Sequence, residues 1–372
     1  MNAPLVKLGD VCEVVRARIP ITQLTEETYI STDNMLQRRK GVTKVDKLPL
    51  KGTAVRFRPG DVLLSNIRPY LQKLWLAERE GGASSDIIVF RPKPECAPAY
   101  LFHALSQEAF FDYVMLNPSG TKMPRGRREW IARFAFPLPS LAEQERIVAH
   151  LERTLGAIDA MEAKFREMAE TAERHFRATL AEAFAALSSA PVAKLGEVCE
   201  VLDARRVPIK QADRKPGSVP YYGASGVQDY VADYLFDEPL VLLGEDGAKW
   251  GPGERSAYRI TGKAWVNNHA HVLRPREGMD SAYLTAYLNM KDLLPWISGV
   301  TVPKLTQTRM KEIPLPLPSL AEQERVVAHL ERAEGVSRRV VALAQEGVAQ
   351  CGVYRRAVLS EAFGGGEVGG DE

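Results

Sequence analysis

The sequence is poor in the residues and patterns that mark disulfide-bonded, zinc-binding and membrane proteins. Its 372 residues include only four cysteines, which stand far apart without any C-x-x-C spacing, so neither a disulfide framework nor a zinc site is predicted. No run of 18 apolar residues is present, and no apolar segment follows Met1. We therefore expect a cytoplasmic chain that neither spans a membrane nor binds a metal.

Motifs of the common cofactor-binding and hydrolytic enzymes are also missing. The chain has no G-x-x-x-x-G-K-[ST], G-x-G-x-x-G, H-E-x-x-H or G-x-S-x-G pattern, and no Asn-Pro-Pro-Tyr or Asp-Pro-Pro-Tyr of amino-methyltransferases. His269 and His271 would share one face of a strand, but no cysteine or third histidine accompanies them, which favours a hydrogen-bonding role. The sequence therefore predicts no catalytic residue and no cofactor held by this chain.

The chain contains one segment twice. FAFPLPSLAEQERIVAHLER at 134–153 returns as IPLPLPSLAEQERVVAHLER at 313–332, with 16 of 20 positions identical. The offset of 179 residues corresponds to a whole domain with its connector and exceeds the period of about 20–50 residues that is typical of solenoid repeats. A duplicated module is therefore predicted.

The repeat extends on both sides of this segment. Its further landmarks are VKLGDVCEV at 6–14 with AKLGEVCEV at 193–201, and Gly120 and Pro124 with Gly299 and Pro303. Between these landmarks, the interiors 22–98 and 210–281 share only a general strand-and-turn character. A shared frame around divergent interiors suggests two sites of one kind with different specificities.

Each interior has the pattern of a mixed α+β domain. Short apolar runs such as 61–65 and 239–243 are bounded by Gly and Pro, which predicts strands and turns. Helices are expected at 98–106 and 281–288.

A long helix is predicted after each globular part. Ser140 to Glu143 and Ser319 to Glu322 have the S-x-x-E spacing of a capping box and follow proline-rich stretches, so the helices are expected to start at about 141 and 320. Apolar residues then recur at steps of three and four, the spacing of a coiled coil. The second helix carries Gly335, Gly347 and Gly352 and is expected to be the weaker one alone.

A helix that continues from 140 to 190, or from 319 to 363, is too long to pack on one small domain, because an α-helix rises about 1.5 Å per residue. The economical arrangement packs them against each other, antiparallel, with a globular domain near each end. The alternative is that each helix folds on its own domain.

Basic charge is concentrated in the globular parts. The formal net charge is only +2 overall. In the globular parts, Lys and Arg number 21 against 14 Asp and Glu in 1–139, and 16 against 15 in 191–318. In the predicted helical parts, 140–190 and 319–372, they number 6 against 9 in each. This distribution favours phosphate contact by the globular parts and protein contact by the helices.

A basic loop runs from Lys122 to Arg128, and its counterpart in the second copy carries Lys304 beside the matching proline. Such a loop is usually a solvated face. The recurrence of a basic residue at the shared proline in both copies favours contact with DNA.

The repeated segments resemble the conserved repeats of the specificity subunit of type I restriction-modification systems. The entries KLGDVCEV and KLGEVCEV resemble the start of its target-recognition domains. Residues 58–70 and 120–125 look like one class of such domain, and 222–226, 244–247 and 267–271 look like another. The resemblance covers essentially the whole chain.

The resemblance implies a non-catalytic subunit that reads double-stranded DNA. Two target-recognition domains would each read one half of a bipartite, asymmetric site, and the helices would set the spacing between the half-sites. Two modification subunits, which hold S-adenosylmethionine and methylate adenine, would dock on the chain, and the family leaves room for restriction subunits. The implied parts are a first target-recognition domain at 1–139, a first spacer helix at 140–190, a second target-recognition domain at 191–318, a second spacer helix at 319–363 and a flexible tail at 364–372.

The resemblance also implies candidate site residues. Those for DNA are Arg68, Lys122, Arg125, Arg127 and Arg128 in the first copy and Tyr222, Lys249, Asn267, Asn268, His269 and Lys304 in the second. Those for subunit docking at the helix starts are Ser140, Glu143, Gln144, Arg146, Ser319, Glu322, Gln323 and Arg325. For three of the DNA candidates a structural role stays open: Asn267 and Asn268 could only close a turn, and Arg68 could only pair with a carboxylate such as Asp61.

Two rival functions remain at this point. A tandem adaptor would bind proteins through both domains and assemble a scaffold through the coiled coil, but it has no reason to concentrate positive charge beside the matching prolines. A self-contained methyltransferase or nuclease would need the cofactor or metal motifs that the sequence lacks.

Overall fold

The structure is a computed structural model that describes residues 3–299, 301 and 303–364. Its contacts divide the chain into two compact units. The first unit comprises Met1–Phe165 and Glu346–Glu372, and the second comprises Arg166–Gln345. Each unit therefore combines one globular part with a piece of each long helix. Of the predicted tail, 365–372 lie outside the described residues.

The described residues follow nearly the same order of helices and strands in both units, except that the helix Glu108–Leu116 of the first unit has no α-helical counterpart among the described residues of the second. The helices are α1 Leu8–Val11, α2 Pro98–Ala104, α3 Glu108–Leu116, α4 Arg128–Ile131, α5 Leu141–Ala185, α6 Leu195–Val198, α7 Ser281–Met290, α8 Gln307–Lys311 and α9 Leu320–Ala362. The strands of the first unit are β1 Leu5–Lys7, β2 Cys12–Val14, β3 Arg18–Pro20, β4 Tyr29–Ile30, β5 Thr53–Phe57, β6 Val62–Ser65, β7 Leu74–Leu76, β8 Gly81–Ala83, β9 Ile87–Pro92, β10 Pro118–Ser119, β11 Arg125–Gly126 and β12 Ala135–Pro137. Those of the second unit are β13 Val192–Lys194, β14 Cys199–Val201, β15 Pro216–Gly223, β16 Gly226–Val231, β17 Phe236–Asp237, β18 Leu240–Gly244, β19 Ala257–Ile260, β20 Lys263–Val266, β21 Ala270–Pro275, β22 Ile297–Ser298, β23 Lys304–Leu305 and β24 Pro314–Pro316.

A four-stranded antiparallel sheet is the centre of each globular part. Its strand order is β2-β9-β6-β7 in the first unit and β14-β21-β18-β19 in the second. Successive side chains point to opposite faces: Val62 and Leu64 enter the main core, whereas Leu63 enters a smaller core on the other face. Because both faces are buried, these strands are continuous apolar runs. The common strand order of this sheet shows that the divergent interiors share one framework.

A second sheet packs on the smaller core of each unit. The strand order is β3-β5-β8-β4 in the first unit and β16-β15-β20-β17 in the second. Here the two units differ, since β15 and β16 form a long hairpin whereas the strands of the first unit are separated by loops.

The entry and exit strands of each globular part pair with each other. β1 pairs antiparallel with β12, and β13 pairs antiparallel with β24. The two landmarks that recur in the sequence therefore form one ribbon in each unit, and this ribbon leads directly into the long helix.

The helices α5 and α9 begin at Leu141 and Leu320, which confirms the predicted starts. In the first unit, Leu151 of α5 and Leu359 of α9 lie in one core, and Arg355 pairs with Asp159 at 2.6 Å. This contact order runs in opposite directions along the two helices, so they pack antiparallel.

The second unit shows the same antiparallel order. Leu180 and Leu330 share its core, and Ser337 donates a hydrogen bond to the Ala172 carbonyl at 3.0 Å. The alternative in which each helix folds only on its own domain is wrong, because Leu359 of α9 and Phe363, which follows this helix directly, lie in the core of the first unit.

The helix α9 is continuous through its three glycines. Gly347 lies against the Phe165 ring of α5, and a Cβ there would stand 2.6 Å from that ring. The glycine that weakens the helix alone therefore permits close packing of the pair. No helix among the described residues is long and apolar enough to cross a membrane.

Candidate nucleic-acid interface

A short hairpin carries the basic loop of the first unit. It consists of β10 and β11, which pair antiparallel, and we call it the first hairpin. Arg125 forms a β-bridge with Ile67, and the Arg68 amide donates a hydrogen bond to the Pro124 carbonyl at 2.8 Å. The hairpin therefore docks on the chain that leaves β6, and it brings Arg68 and Arg125 together.

The cations of the first hairpin are open to solvent. Arg125 pairs with Asp86 at 3.2 Å and keeps about half of its side chain exposed. Arg68, Lys122, Arg127 and Arg128 are exposed, and the described part of the chain offers none of them an ion-pair partner. The alternative in which Arg68 pairs with Asp61 is wrong, because Asp61 holds Arg91 through two hydrogen bonds of 2.8 and 2.7 Å.

The turn at Arg68 is held in an uncommon backbone conformation. Arg68 and Gln72 have φ of 50° and 53°, and the neighbouring Arg38 and Arg39 have φ of 55° and 60°. The two turns touch, since the Arg39 amide donates to the Gln72 carbonyl at 3.0 Å. Left-handed non-glycine residues store strain and cluster at functional sites.

Asn66 lies at the base of the first hairpin and accepts the Gly126 amide on its backbone carbonyl at 3.2 Å. Its side-chain Oδ1 is buried and has no hydrogen-bond partner among the described residues. Buried polar atoms are nearly always paired, so Asn66 joins the candidate site. Sequence reasoning missed it, although it stands two residues before Arg68.

The second unit has an equivalent hairpin made of β22 and β23, which we call the second hairpin. Lys304 forms a β-bridge with Asp246, and the Leu305 amide donates to the Glu245 carbonyl at 2.8 Å. Lys304 therefore occupies the place of Arg125. Its ammonium contacts Glu245 at 2.8 Å, and this hydrogen bond raises the pKa of Lys304.

Beneath the second hairpin lies a buried ionic network that the sequence did not predict. His271 is fully buried, its Nδ1 lies 2.6 Å from Asp203 Oδ2, and its Nε2 lies 2.7 Å from the Leu305 carbonyl. Since both partners are acceptors, both ring nitrogens donate. Arg206 donates to Glu245 at 2.5 Å and to the Ala270 carbonyl at 2.8 Å.

Charge compensation stabilises the carboxylates of this network. Burial raises the pKa of Asp203, but hydrogen bonding and charge from His271 outweigh it and lower the pKa overall. Burial likewise raises the pKa of Glu245, and hydrogen bonds from Lys304 and Arg206 lower it overall. Both carboxylates therefore stay ionised in the folded chain.

Asp203, Glu245 and His271 also have the donor types of a metal site, with ligand atoms within 4.8 Å of one another. The chain's own groups already occupy these donors: His271 Nε2 faces a carbonyl, and Arg206 and Lys304 hold Glu245. We interpret the cluster as an ion-pair network that links the second hairpin to the sheet.

The remaining candidates of the second unit divide into buried and exposed residues. Asn267 is only 3% exposed, its Oδ1 accepts the His269 amide at 2.8 Å, and its Nδ2 donates to Gln228 at 3.1 Å. Its prediction as a base-contacting residue is therefore wrong, because both ends of its amide are used in closing the turn. Asn268 and His269 are exposed on that turn, and His269 contacts Asp246.

Tyr222 contacts this turn, and Lys249 lies on the loop that follows β18. The Tyr222 carbonyl accepts the Asn267 amide at 3.0 Å, and its half-buried ring lies 5.9 Å from that of Tyr258. Lys249 is exposed and lies 3.9 Å from Glu254. The structure thus groups Tyr222, Asn268, His269 and Lys304 around the second hairpin.

The docking candidates at the helix starts include two buried glutamines. Gln144 and Gln323 are both 0% exposed. Gln144 accepts the Ala97 amide at 2.8 Å and donates to the Glu95 and Pro139 carbonyls at 2.9 Å. Gln323 makes the same three bonds, with the Asp280 amide and the Gly278 and Pro318 carbonyls, all at 2.9 Å.

The glutamines were therefore wrongly predicted as docking residues. Each one fastens the start of a long helix to its own globular part, and nothing of its amide is left for a partner. The other docking candidates, Ser140, Glu143, Arg146, Ser319, Glu322 and Arg325, lie on the surface at the two helix starts. In the first copy Glu143 pairs with Arg146 at 2.6 Å.

Comparison with known proteins identifies the family. The family model described as type I restriction modification DNA specificity domain matches residues 4–168 and again 190–336. A putative type I restriction enzyme specificity subunit S.HindORF215P of Haemophilus influenzae is 36% identical over 137 residues, which are 37% of this chain and 35% of that protein. The type I restriction enzyme EcoDI specificity subunit of Escherichia coli is 27% identical over 128 residues, 34% of this chain and 28% of that protein. The alignments thus span about a third of the length of these curated relatives.

Solved structures show the same fold over nearly the whole chain. A chain from work described as the structural basis underlying complex assembly and conformational transition of the type I R-M system has a TM-score of 0.80 at 21% identity, covering 98% of this chain and 100% of that one. The HsdS subunit from Thermoanaerobacter tengcongensis has a TM-score of 0.60 at 22% identity, covering 97% of each chain. The α+β architecture of two globular domains with two long antiparallel helices is thereby confirmed. Since the family model matches more than half of the sequence, in two copies, the chain belongs to the type I restriction modification DNA specificity family.

Proposed function

We propose that this chain is the DNA-reading, non-catalytic specificity subunit of a type I restriction-modification complex. The observation that carries the proposal is the pair of equivalent hairpins, which present Arg125 and Lys304 at the same place on two copies of one framework. Apart from the shared glycine and proline of each hairpin, the residues around the two hairpins differ. Each unit then reads a different half of a bipartite, asymmetric site in double-stranded DNA.

The contacts with DNA fall into two classes. Exposed cations such as Lys122, Arg127 and Arg128 neutralise phosphates, which gives salt-dependent affinity without sequence preference. Arg68 and Arg125 in the first unit read base edges, since arginine favours guanine in the major groove.

In the second unit Asn268, His269 and Lys304 take the corresponding place, with Tyr222 and Lys249 beside them. This unit has the smaller positive charge, and its ionic network holds the base-contacting groups in position. We therefore assign phosphate attraction mainly to the first unit.

The surfaces at the two helix starts are the same in sequence, and we assign them to two equal partners. Ser140, Glu143 and Arg146 match Ser319, Glu322 and Arg325. The partners are two modification subunits, which hold S-adenosylmethionine and methylate adenine, and restriction subunits join the complex where the system cleaves DNA. S-adenosylmethionine thus belongs to the partner and not to this chain.

The helices α5 and α9 set the gap between the half-sites. Removing about two turns, or ~11 Å at ~1.5 Å per residue, from both helices changes the gap and leaves each half-site sequence intact. A gap that stays constant on shortening would contradict this role.

The test of the proposal uses the hairpin cations as a matched pair. We expect the complex of this chain with its modification subunits to bind and methylate a bipartite duplex, which methylation sequencing identifies. Arg125→Ala should relax the specificity of one half-site and Lys304→Ala that of the other, each by about 1–3 kcal/mol of discrimination. Binding of proteins but no duplex would contradict the proposal and favour an adaptor, and methylation by this chain alone would favour an enzyme.

A further inference from the structure

A second basic element lies in the first unit, outside the first hairpin. Residues 38–51 contain six Lys and Arg against the single acidic residue Asp46. Lys47 and Lys51 are exposed, and neither has an ion-pair partner in the described part of the chain. The segment is strongly basic, and the function described above does not use it.

Between the two lysines stands the most exposed large apolar side chain of the described residues. Leu50 is 85% exposed. We call residues 46–52 the Leu50 loop. Single exposed leucines are common on protein surfaces, so the position of Leu50 between two free cations is what distinguishes it.

The Leu50 loop is anchored on either side of Leu50. Leu48 packs on a small core with Ile21 and Tyr29. Gly52 has φ of +119° and accepts the Ile21 amide on its carbonyl at 3.1 Å. Because the flanks are fixed, the loop presents Leu50 outward on a defined support.

Sheet topology places this loop on the same side of the unit as the first hairpin. β5 pairs antiparallel with β8, with Val55 opposite Ala83. The chain before β5 and the chain after β8 therefore leave the sheet at one end. Lys51 precedes β5 by two residues, and Asp86, which pairs with Arg125, follows β8 by three. At no more than ~3.6 Å per residue, both lie within about 11 Å of that sheet end.

We propose, building on the function proposed above, that the Leu50 loop is a second DNA contact of the first unit. Lys47 and Lys51 contact phosphates, and Leu50 packs into the adjacent groove against sugars and base edges. Duplex DNA suits this chemistry because it offers phosphates on both sides of an apolar groove floor, and proteins that bind the minor groove use apolar wedges of this kind. The second unit has no matching loop among its described residues, since β15 and β16 are joined there by a tight hairpin at Gly223 and Gly226.

The test compares two variants of the complex. In Lys47→Ala/Lys51→Ala, the slope of log affinity against log salt should become shallower by about 2, since each phosphate contact contributes about 0.9, and specific and non-specific duplexes should be affected alike. In Leu50→Ala, affinity should fall about three- to tenfold with the salt slope unchanged. Lys7→Ala and Leu5→Ala are matched controls, because β1 exposes the same residue types in the same unit.

The outcomes separate this inference from the proposed function. If wild type and Lys47→Ala/Lys51→Ala have the same salt slope, or Leu50→Ala binds as wild type does, the Leu50 loop is not a DNA contact. Arg125→Ala tests the proposed function in the same assay. If Arg125→Ala loses half-site discrimination while the Lys47→Ala/Lys51→Ala and Leu50→Ala variants bind as wild type does, only the inference about the Leu50 loop is overturned. Wild type that binds no duplex overturns the proposed function itself. All substituted side chains are exposed, and thermal melting should confirm unchanged folding.

Discussion

Arg125 and Lys304 hold the same place in the two units, but what lies under them differs. Arg125 rests on Asp86, which is about a third exposed, whereas Lys304 rests on Glu245, which is 10% exposed and bound to Arg206. The first hairpin therefore rests on solvent-accessible contacts, and the second is joined to a buried ionic network.

Strained backbone conformations, in contrast to the buried ionic network, lie in the first unit. In the described residues, the non-glycine residues with positive φ are Arg38, Arg39, Arg68 and Gln72, all in the first unit. The first unit thus fixes its cations by strained turns, and the second fixes them by buried charge. Under the function proposed above, one framework supports two ways of orienting a reading surface, which allows the two half-sites to diverge independently.

The largest expected effect comes from removing the central carboxylate of the second unit. Asp203→Ala leaves buried His271 without its carboxylate partner, and breaking a buried ion pair from one side costs about 3–5 kcal/mol. Because His271 holds the Leu305 carbonyl, specificity for the second half-site should fall as well. Denaturation followed by hydrogen exchange of each unit measures the stability, and methylation sequencing measures the specificity.

Asp61→Ala is the matched control in the first unit. Asp61 is 1% exposed and holds Arg91, so its loss should destabilise the first unit by about 1.5–3 kcal/mol. No contact joins it to the first hairpin among the described residues, and both half-sites should still be read. Equal loss of specificity in the two variants would contradict a special role for the network.

The frame of this molecule could be read from the sequence because local rules determine it. Proline-rich stretches cannot be helical, so the helices had to begin after Pro139 and Pro318. The steps of three and four between apolar residues gave each helix an apolar stripe along its length, which required a second long helix to cover it. The common strand order of the interiors stayed hidden, because a strand buried on both faces accepts almost any apolar residue.

The site was predicted less well, for physical reasons. Asp203, Glu245 and His271 are distant in sequence, and the pairing of both β14 and β18 with β21 brings them together. Gln144 and Gln323 stand among exposed charged residues, which suggested a surface, but each meets the unpaired backbone groups at a helix start. Hairpin cations were predictable because a basic residue recurs beside a shared proline.

A buried histidine of the first unit allows the two units to be compared by the pH dependence of their stability. His103 of the first unit is 7% exposed, and burial lowers its pKa from 6.5 to about 4. In the unfolded chain His103 binds a proton below pH 6.5, whereas in the folded unit it does so only below about pH 4. The contribution of neutral His103 to the free energy of unfolding is therefore complete above pH 6.5 and is lost as the pH falls towards 4. The free energy of unfolding of the first unit should fall by up to about 3 kcal/mol over this range.

His103→Gln removes this titration, so the difference in unfolding free energy between wild type and variant should change between pH 7 and pH 4. Taking the difference cancels the carboxylates that titrate in both proteins. Hydrogen exchange should place the change in the first unit, and a difference that is constant with pH would contradict the assignment.

The smallest expected effect on stability separates strain from charge at the first hairpin. Arg68→Gly relieves a left-handed residue worth about 1 kcal/mol but adds a similar entropy to the unfolded chain, so the free energy of unfolding should change by less than about 0.5 kcal/mol. Discrimination at the first half-site should nevertheless fall, because the guanidinium is lost. Gln72→Gly relieves the same strain in the same turn without removing a cation, and it should leave DNA binding unchanged. If both variants weaken binding equally, the strained turn itself positions the hairpin, and the guanidinium of Arg68 does not read DNA.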